Sequence, residues 1–208
     1  MKKFFPLVLA IALSSLAAYA QGNHEYAPLQ EKEITYKDFT YKNVKDEKPV
    51  ELREFATGKK LVLVVYFAPW CQNWRNEAPF ASKLYEKYKA NGLDVIGVGE
   101  YASRDDVRNY FGPSGPPFTV VTESESRDDK QKTPHYGYRH KTGDTRNWGS
   151  PYNVFLVPAN LNPSGEVLTE KTWVVNGELV EADVEKFVRD QLGLKDSPNQ
   201  LGLKDVPK

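Results

Sequence analysis

The sequence predicts an α/β fold, a central mixed β-sheet flanked by helices with a β-hairpin added in front. Three observations predict it. Leu61 to Phe67 is an unbroken β-branched and aromatic run, too short to span a membrane, which reads as a central strand buried on both faces. Beyond Cys71 the apolar residues change to helical spacing through Trp74, Ala78, Ala81, Leu84, Tyr85 and Tyr88. Strand and helix then alternate again, which implies parallel strands joined by right-handed crossovers.

Taken in order, the chain opens on what reads as a secretory signal over residues 1–20. Lys2 and Lys3 form its charged start, Phe4 to Leu16 its apolar core, and Ala18-Tyr19-Ala20 a small-x-small cleavage site. Residues 21–37 are polar and weakly patterned, so a flexible lead is expected. A domain over 38–193 follows, then a tail over 194–208. Phe39 to Val44 and Pro49 to Leu52 flank the charged Lys45-Asp46-Glu47-Lys48 and suggest the hairpin. Leu52 to Phe55 reads as a short helix, closed by Thr57-Gly58 before the central strand.

The first long helix stops at Asn91-Gly92, and Leu93 to Val98 is a second buried strand. Ser103-x-x-Asp106 is a capping box that opens a helix through Phe111, broken by Gly112-Pro113-Ser114-Gly115-Pro116-Pro117. Phe118 to Val121 gives a third strand. Glu123 to Lys132 mixes charges and reads as a solvated surface loop. Thr133 to Trp148 interleaves Tyr136, Tyr138 and Trp148 with Arg139, His140, Lys141 and Arg146; a structural loop is expected there, with a substrate-facing insertion as its functional alternative. Tyr152 to Val157 returns as strand, Asn162-Pro163-Ser164-Gly165 turns, and Val167 to Val175 pairs antiparallel. A last helix from Glu181 turns Val184, Phe187, Val188 and Leu192 inward. The tail repeats Gln-Leu-Gly-Leu-Lys-Asp from Gln191 and again from Gln200, too short and interrupted for a core element, so a loosely attached extension is expected.

Lysine plus arginine and aspartate plus glutamate each number 28, and loss of Lys2 and Lys3 with the signal tilts the balance slightly acidic. Nothing in that balance attracts nucleic acid or an anionic membrane, and no membrane insertion is expected once the signal is cleaved. His24, His135 and His140 are scattered, so neither a metal site nor a cofactor is expected. Export to a periplasmic or extracellular compartment places one thiol where disulfides normally form. The chain holds a single cysteine, Cys71, and it stands where a buried strand hands over to a helix. Helix starts carry unpaired N–H groups and the positive end of the dipole, and a thiolate is an anion that such a place stabilises. Burial of Cys71 as a small hydrophobe is the alternative.

Phe67-Ala68-Pro69-Trp70-Cys71-Gln72-Asn73-Trp74-Arg75-Asn76-Glu77-Ala78-Pro79 resembles the active-site stretch of thioredoxin-fold proteins. The likeness is to the group that contains the TlpA- and ResA-type thiol-disulfide oxidoreductases and the redoxin (AhpC/TSA-like) domains. It extends from about Phe39 to about Leu192 and is dense only in this motif. The resemblance implies a thioredoxin-like fold, a catalytic Cys71, and a helix-kinking role for Pro79. It also implies that Ser150-Pro151 is the cis-proline loop lying against the reactive sulfur. Trp70, Gln72, Asn73, Trp74, Ser150 and Pro151 are then the residues expected to meet substrate. Glu77 and Arg75 read as exposed side chains of the first helix.

Two departures carry weight. Trp74 stands in the place of the family's second, resolving cysteine, so an intramolecular disulfide is impossible and an adduct must wait for an outside thiol. Val65 stands where thioredoxin has an acidic residue, so no proton relay is implied from that position. The function expected is monothiol exchange with protein or small-molecule thiols and disulfides, completed by an external reductant. Two alternatives stand beside it: a redox-inactive module that binds extended polypeptide through Trp70, Trp74 and the Ser150-Pro151 loop, and a one-cysteine peroxidase. Peroxiredoxins place threonine three residues before their cysteine, where this chain has Ala68.

Overall fold

The structure is a computed structural model that describes residues 24–195. The expected signal and the second copy of the repeated tail lie outside those residues. Leu194, just after the last helix, packs against the core.

The strands are β1 (Tyr26–Ala27), β2 (Gln30–Lys37), β3 (Thr40–Asn43), β4 (Pro49–Glu51), β5 (Leu61–Phe67), β6 (Leu93–Gly99), β7 (Thr119–Thr122), β8 (Tyr152–Leu156), β9 (Val167–Val175) and β10 (Glu178–Leu179). The helices are α1 (Leu52–Ala56), α2 (Gln72–Tyr88), α3 (Arg104–Phe111), α4 (Pro134–Lys141) and α5 (Glu181–Leu192). Eight strands form one mixed sheet in the order β2-β9-β8-β5-β6-β7-β3-β4. β5, β6 and β7 run parallel to one another, and β8 pairs antiparallel with β5 and β9. β3 and β4 are the expected hairpin, docked through β3 on β7.

β5 is the keystone because both its faces are covered. Leu61, Leu63, Val65 and Phe67 join one cluster with Trp74, Ala81 and Leu84 of α2, Val107 of α3, and Val184, Val188 and Leu192 of α5. Val62, Val64 and Tyr66 join the other with Leu52 and Ala56 of α1. All seven β5 residues are fully buried, and each such side chain contributes about 1.5–3 kcal/mol of burial. That explains why an unbroken apolar run, not an alternating one, encodes this strand.

Three expectations need correction. The lead is not flexible up to Lys37: Gln30–Lys37 is an edge strand paired with β9, Ile34 and Tyr36 turn inward, and the preceding residues are held by β10, by Glu178 and by Arg146. Its outward face is polar because nothing covers that face, and this hides the strand in the composition. Thr133–Trp148 is not a plain loop, since Thr133 caps α4 through its side chain and Pro134 opens the helix. The charged stretch from Glu123 is not all solvated: Tyr41 donates to Glu123, Ser124 is buried, and Arg127–Lys132 winds into a 3₁₀ helix.

Candidate functional site

Cys71 occupies the N-cap position of α2, with extended backbone, directly after the turn that ends β5. Its side chain does not cap the helix; Cys71 is partly exposed as a residue, and its Sγ donates instead to the main-chain oxygen of Ser150 at 3.2 Å. The Ser150–Pro151 peptide bond is cis. Ser150 Oγ in turn accepts from Ala68 N–H at 2.9 Å, which ties the loop to the end of β5. Cys71, Ser150 and Pro151 are therefore brought together at one end of the sheet.

The other expected residues divide. Trp70 is partly exposed beside the sulfur, donates from Nε1 to the Tyr101 carbonyl at 3.2 Å, and meets Trp148 edge-on at 5.2 Å. Gln72 is exposed and donates to Asn76 Oδ1, and Asn73 is partly exposed. Trp74 is placed differently from the expectation: it is fully buried, stacks on Phe67 at 4.5 Å, and offers no surface to a client. A helix residue three positions after the N-cap points back over the sheet, and the sheet here is apolar.

Behind the loop lies a scaffold that periodicity does not reveal. Arg139 is buried and donates from Nη1 to the Arg146 carbonyl and from Nη2 to the Asn147 carbonyl at 3.1 Å. His135 is buried, with Nε2 against the Gly149 carbonyl at 3.1 Å and Nδ1 against the Tyr101 hydroxyl at 3.0 Å. Burial, together with the nearby Arg139 charge, lowers the His135 pKa to about 3, so its ring is neutral at ordinary pH. Arg146 is held by buried Asp144 at 2.8 Å and by Glu25 at 3.2 Å. Its guanidinium reaches the Ser150 carbonyl at 3.4 Å and the Pro151 carbonyl at 2.8 Å. The thiol and a guanidinium thus share one acceptor oxygen. α4 and the segment after it support the cis-proline loop from behind, through three side chains that carry protons or charge.

Glu77 is the second residue the sequence places wrongly. Instead of facing solvent it is 3 % exposed, and its Oε2 accepts from Asn153 Nδ2 at 3.2 Å and from Leu179 N–H at 2.8 Å. Burial pushes its pKa up to about 8, against the lowering effect of those two donors. A carboxyl group that is largely protonated at neutral pH therefore lies two turns into the helix that begins at the thiol. Glu100, at the end of β6, is likewise fully buried and raised well above the usual range, first by burial and then by the neighbouring Glu123.

The chain's similarity to known proteins is consistent with this geometry. Residues 31–159 match the Redoxin family. Over 143 residues the chain is 24% identical to the thiol-disulfide oxidoreductase ResA of Bacillus subtilis, covering 68% of this chain and 65% of ResA. A shorter stretch of 77 residues is 32% identical to a protein disulfide-isomerase A4 of Caenorhabditis elegans, covering 36% of this chain. The chain thus spans just under two thirds of ResA and 12% of the isomerase. Among solved structures, a thiol:disulfide interchange protein of the thioredoxin family from Chlorobium tepidum superposes with a TM-score of 0.53 at 23% identity, covering 78% of this chain and 98% of that one. A thiol:disulfide interchange protein from Bacteroides sp. gives 0.52 at 18% identity, covering 87% and 97%. These two likenesses concern the fold. Among the described residues no helix is long and apolar enough to cross a membrane. With the family matched over more than half its length and the thioredoxin-like sheet in place, the chain belongs to the Redoxin family, in its TlpA/ResA-like group.

Proposed function

We propose that the protein performs monothiol thiol-disulfide exchange through Cys71. The observation that carries this reading is the placement of the Sγ of a partly exposed Cys71, at the start of α2, against the Ser150 carbonyl of the cis-proline loop. In the forward step the Cys71 thiolate, having lost its proton to solvent, attacks one sulfur of a client disulfide. The S–S bond breaks, a mixed disulfide forms, and the client's other sulfur leaves as thiolate. An external thiol then attacks the mixed disulfide, restores Cys71, and carries the disulfide bond away with the client. Trp70, Gln72 and Asn73 form the surface a client meets, while Ser150 and Pro151, which the sequence also sets against substrate, are buried and act by holding the main-chain oxygen against the sulfur. Exported protein or small-molecule thiols and disulfides are the proposed partners.

Incubation with a disulfide-bearing peptide is expected to give a one-to-one adduct by mass spectrometry that disappears on adding a monothiol. Cys71→Ser should form none. An unmodified wild-type protein under those conditions would reject the exchange reading and leave polypeptide binding without redox chemistry.

Trp74 supplies a separate check. Trp74→Cys should form an intramolecular disulfide with Cys71 on oxidation, seen as loss of both free thiols, because the two positions lie three residues apart at a helix start. Removing a fully buried indole should also destabilise the fold by about 3–5 kcal/mol in the reduced state. Two free thiols persisting after oxidation would contradict the placement of Cys71 at that helix start.

A further inference from the structure

A cleft of about 540 Å³ opens at the turn that precedes Cys71, between the first turn of α2, one face of α3 and the 3₁₀ turn at Arg127; Cys71 itself does not line it. Pro69 and Trp70, the two residues before Cys71, form its near wall. Two guanidinium groups enter it from different elements. Arg75 donates to the Pro69 carbonyl at 3.4 Å and lies 5.9 Å from the centre of the Tyr110 ring. Arg127 lies 4.2 Å above the Trp70 ring and 5.8 Å from Trp148. Both arginines are exposed, and among the described residues neither makes an ion pair with a carboxylate. The other nearby cation, Lys130, lies over Trp148 at 4.8 Å. Asp106 is the carboxylate on the far wall; its Oδ2 accepts from Ser103 Oγ at 2.7 Å, and its N–H donates to the same Ser103 Oγ at 3.1 Å in the cap of α3.

An exposed arginine normally finds a carboxylate or water; two of them held over aromatic faces on the same cleft leave their outward N–H groups free to fork onto an anion. From this we infer that the cleft is a specificity subsite for an anionic group of the client, a carboxylate close to its reactive sulfur, held between Arg75 and Arg127 with the rest of the client lying on Trp70. This rests on the exchange reading above, in that the anion it selects belongs to the disulfide that Cys71 attacks. The attraction acts on encounter and positioning, so it weakens as salt is raised.

The test compares two aromatic disulfides, dianionic dithiobis-nitrobenzoate and neutral dithiodipyridine, by the rate at which each reacts with Cys71. Dividing the first rate by the second cancels any change in the thiol itself. At low ionic strength, that ratio should exceed the ratio for free cysteine by on the order of tenfold, and should fall back towards it in the double variant Arg75→Gln, Arg127→Gln. A wild-type ratio equal to that of free cysteine, or one unaltered by the double substitution, overturns the subsite while leaving the exchange reading intact. If neither disulfide reacts with the wild type, the exchange reading fails. The subsite is then judged by titrating Cys71→Ser with a cysteine-free acidic peptide and following tryptophan emission. Binding lost in the arginine double variant supports it, and no binding overturns it.

Discussion

Replacing Glu77 by glutamine should make the protein more stable by about 3 kcal/mol at pH 8 and change little at pH 4.5. The carboxyl is buried, and its pKa rises from 4.5 to about 8 in the fold. Between those values the folded chain holds a proton that the unfolded chain has released. Stability contributed by the protonated acid is thus complete below pH 4.5 and lost as the pH climbs through 8. Glutamine keeps an oxygen for Asn153 Nδ2 and the Leu179 N–H, and it cannot ionise. His135 has the opposite sign. Its depressed pKa means that acid charges the unfolded chain first, so stability falls as the pH drops from 6.5 towards 3. The two effects oppose each other between pH 4.5 and 6.5, where the wild type should show a plateau. Urea unfolding at a series of pH values reads both limbs. Glu100 and Glu123 leave a residual alkaline slope in the variant, and parallel curves for variant and wild type would show that Glu77 is ionised in the fold at neutral pH.

Arg139→Ala should destabilise the protein by about 4 kcal/mol, the larger of the effects that persist at every pH. The guanidinium is fully buried, and removing it orphans the carbonyls of Arg146 and Asn147 and leaves a void beside Gly149. Asp144 keeps Arg146 as a partner, so the loss is mainly hydrogen bonding and packing. The same contact makes Gly149 obligatory: its φ is +58°, and an added Cβ would meet Arg139 Cδ at 2.4 Å. Gly149→Ala should therefore cost several kcal/mol alone and clearly less when Arg139 is already alanine. Strict additivity of the two substitutions in unfolding experiments would mean that they do not touch.

How far these features could be read in advance depends on whether local pattern or distant packing determines them. β5, β6 and the register of α2 are legible because burial on both faces demands an unbroken apolar run and an apolar helix stripe demands a period near four. The cis-proline loop and Cys71 are legible through the motif. Glu77 is not, because what buries it is Asn153 on β8 and Leu179 on β10, both distant in sequence. α4 escapes for another reason: the residues it buries, His135 and Arg139, are polar, so a four-residue spacing is present without hydrophobicity to mark it. Its one clear signal is Thr133-Pro134, a capping residue followed by proline. Trp74 is recognisable as occupying the second-cysteine position, but only packing shows that its indole is turned to the core.

The sulfur's hydrogen-bond acceptor belongs to the main chain. Every residue type at position 150 supplies that oxygen, so no point mutation at that position deletes the contact. Retuning the thiol's surroundings, in nature or by engineering, has to proceed at arm's length, through the residues that set where the backbone runs.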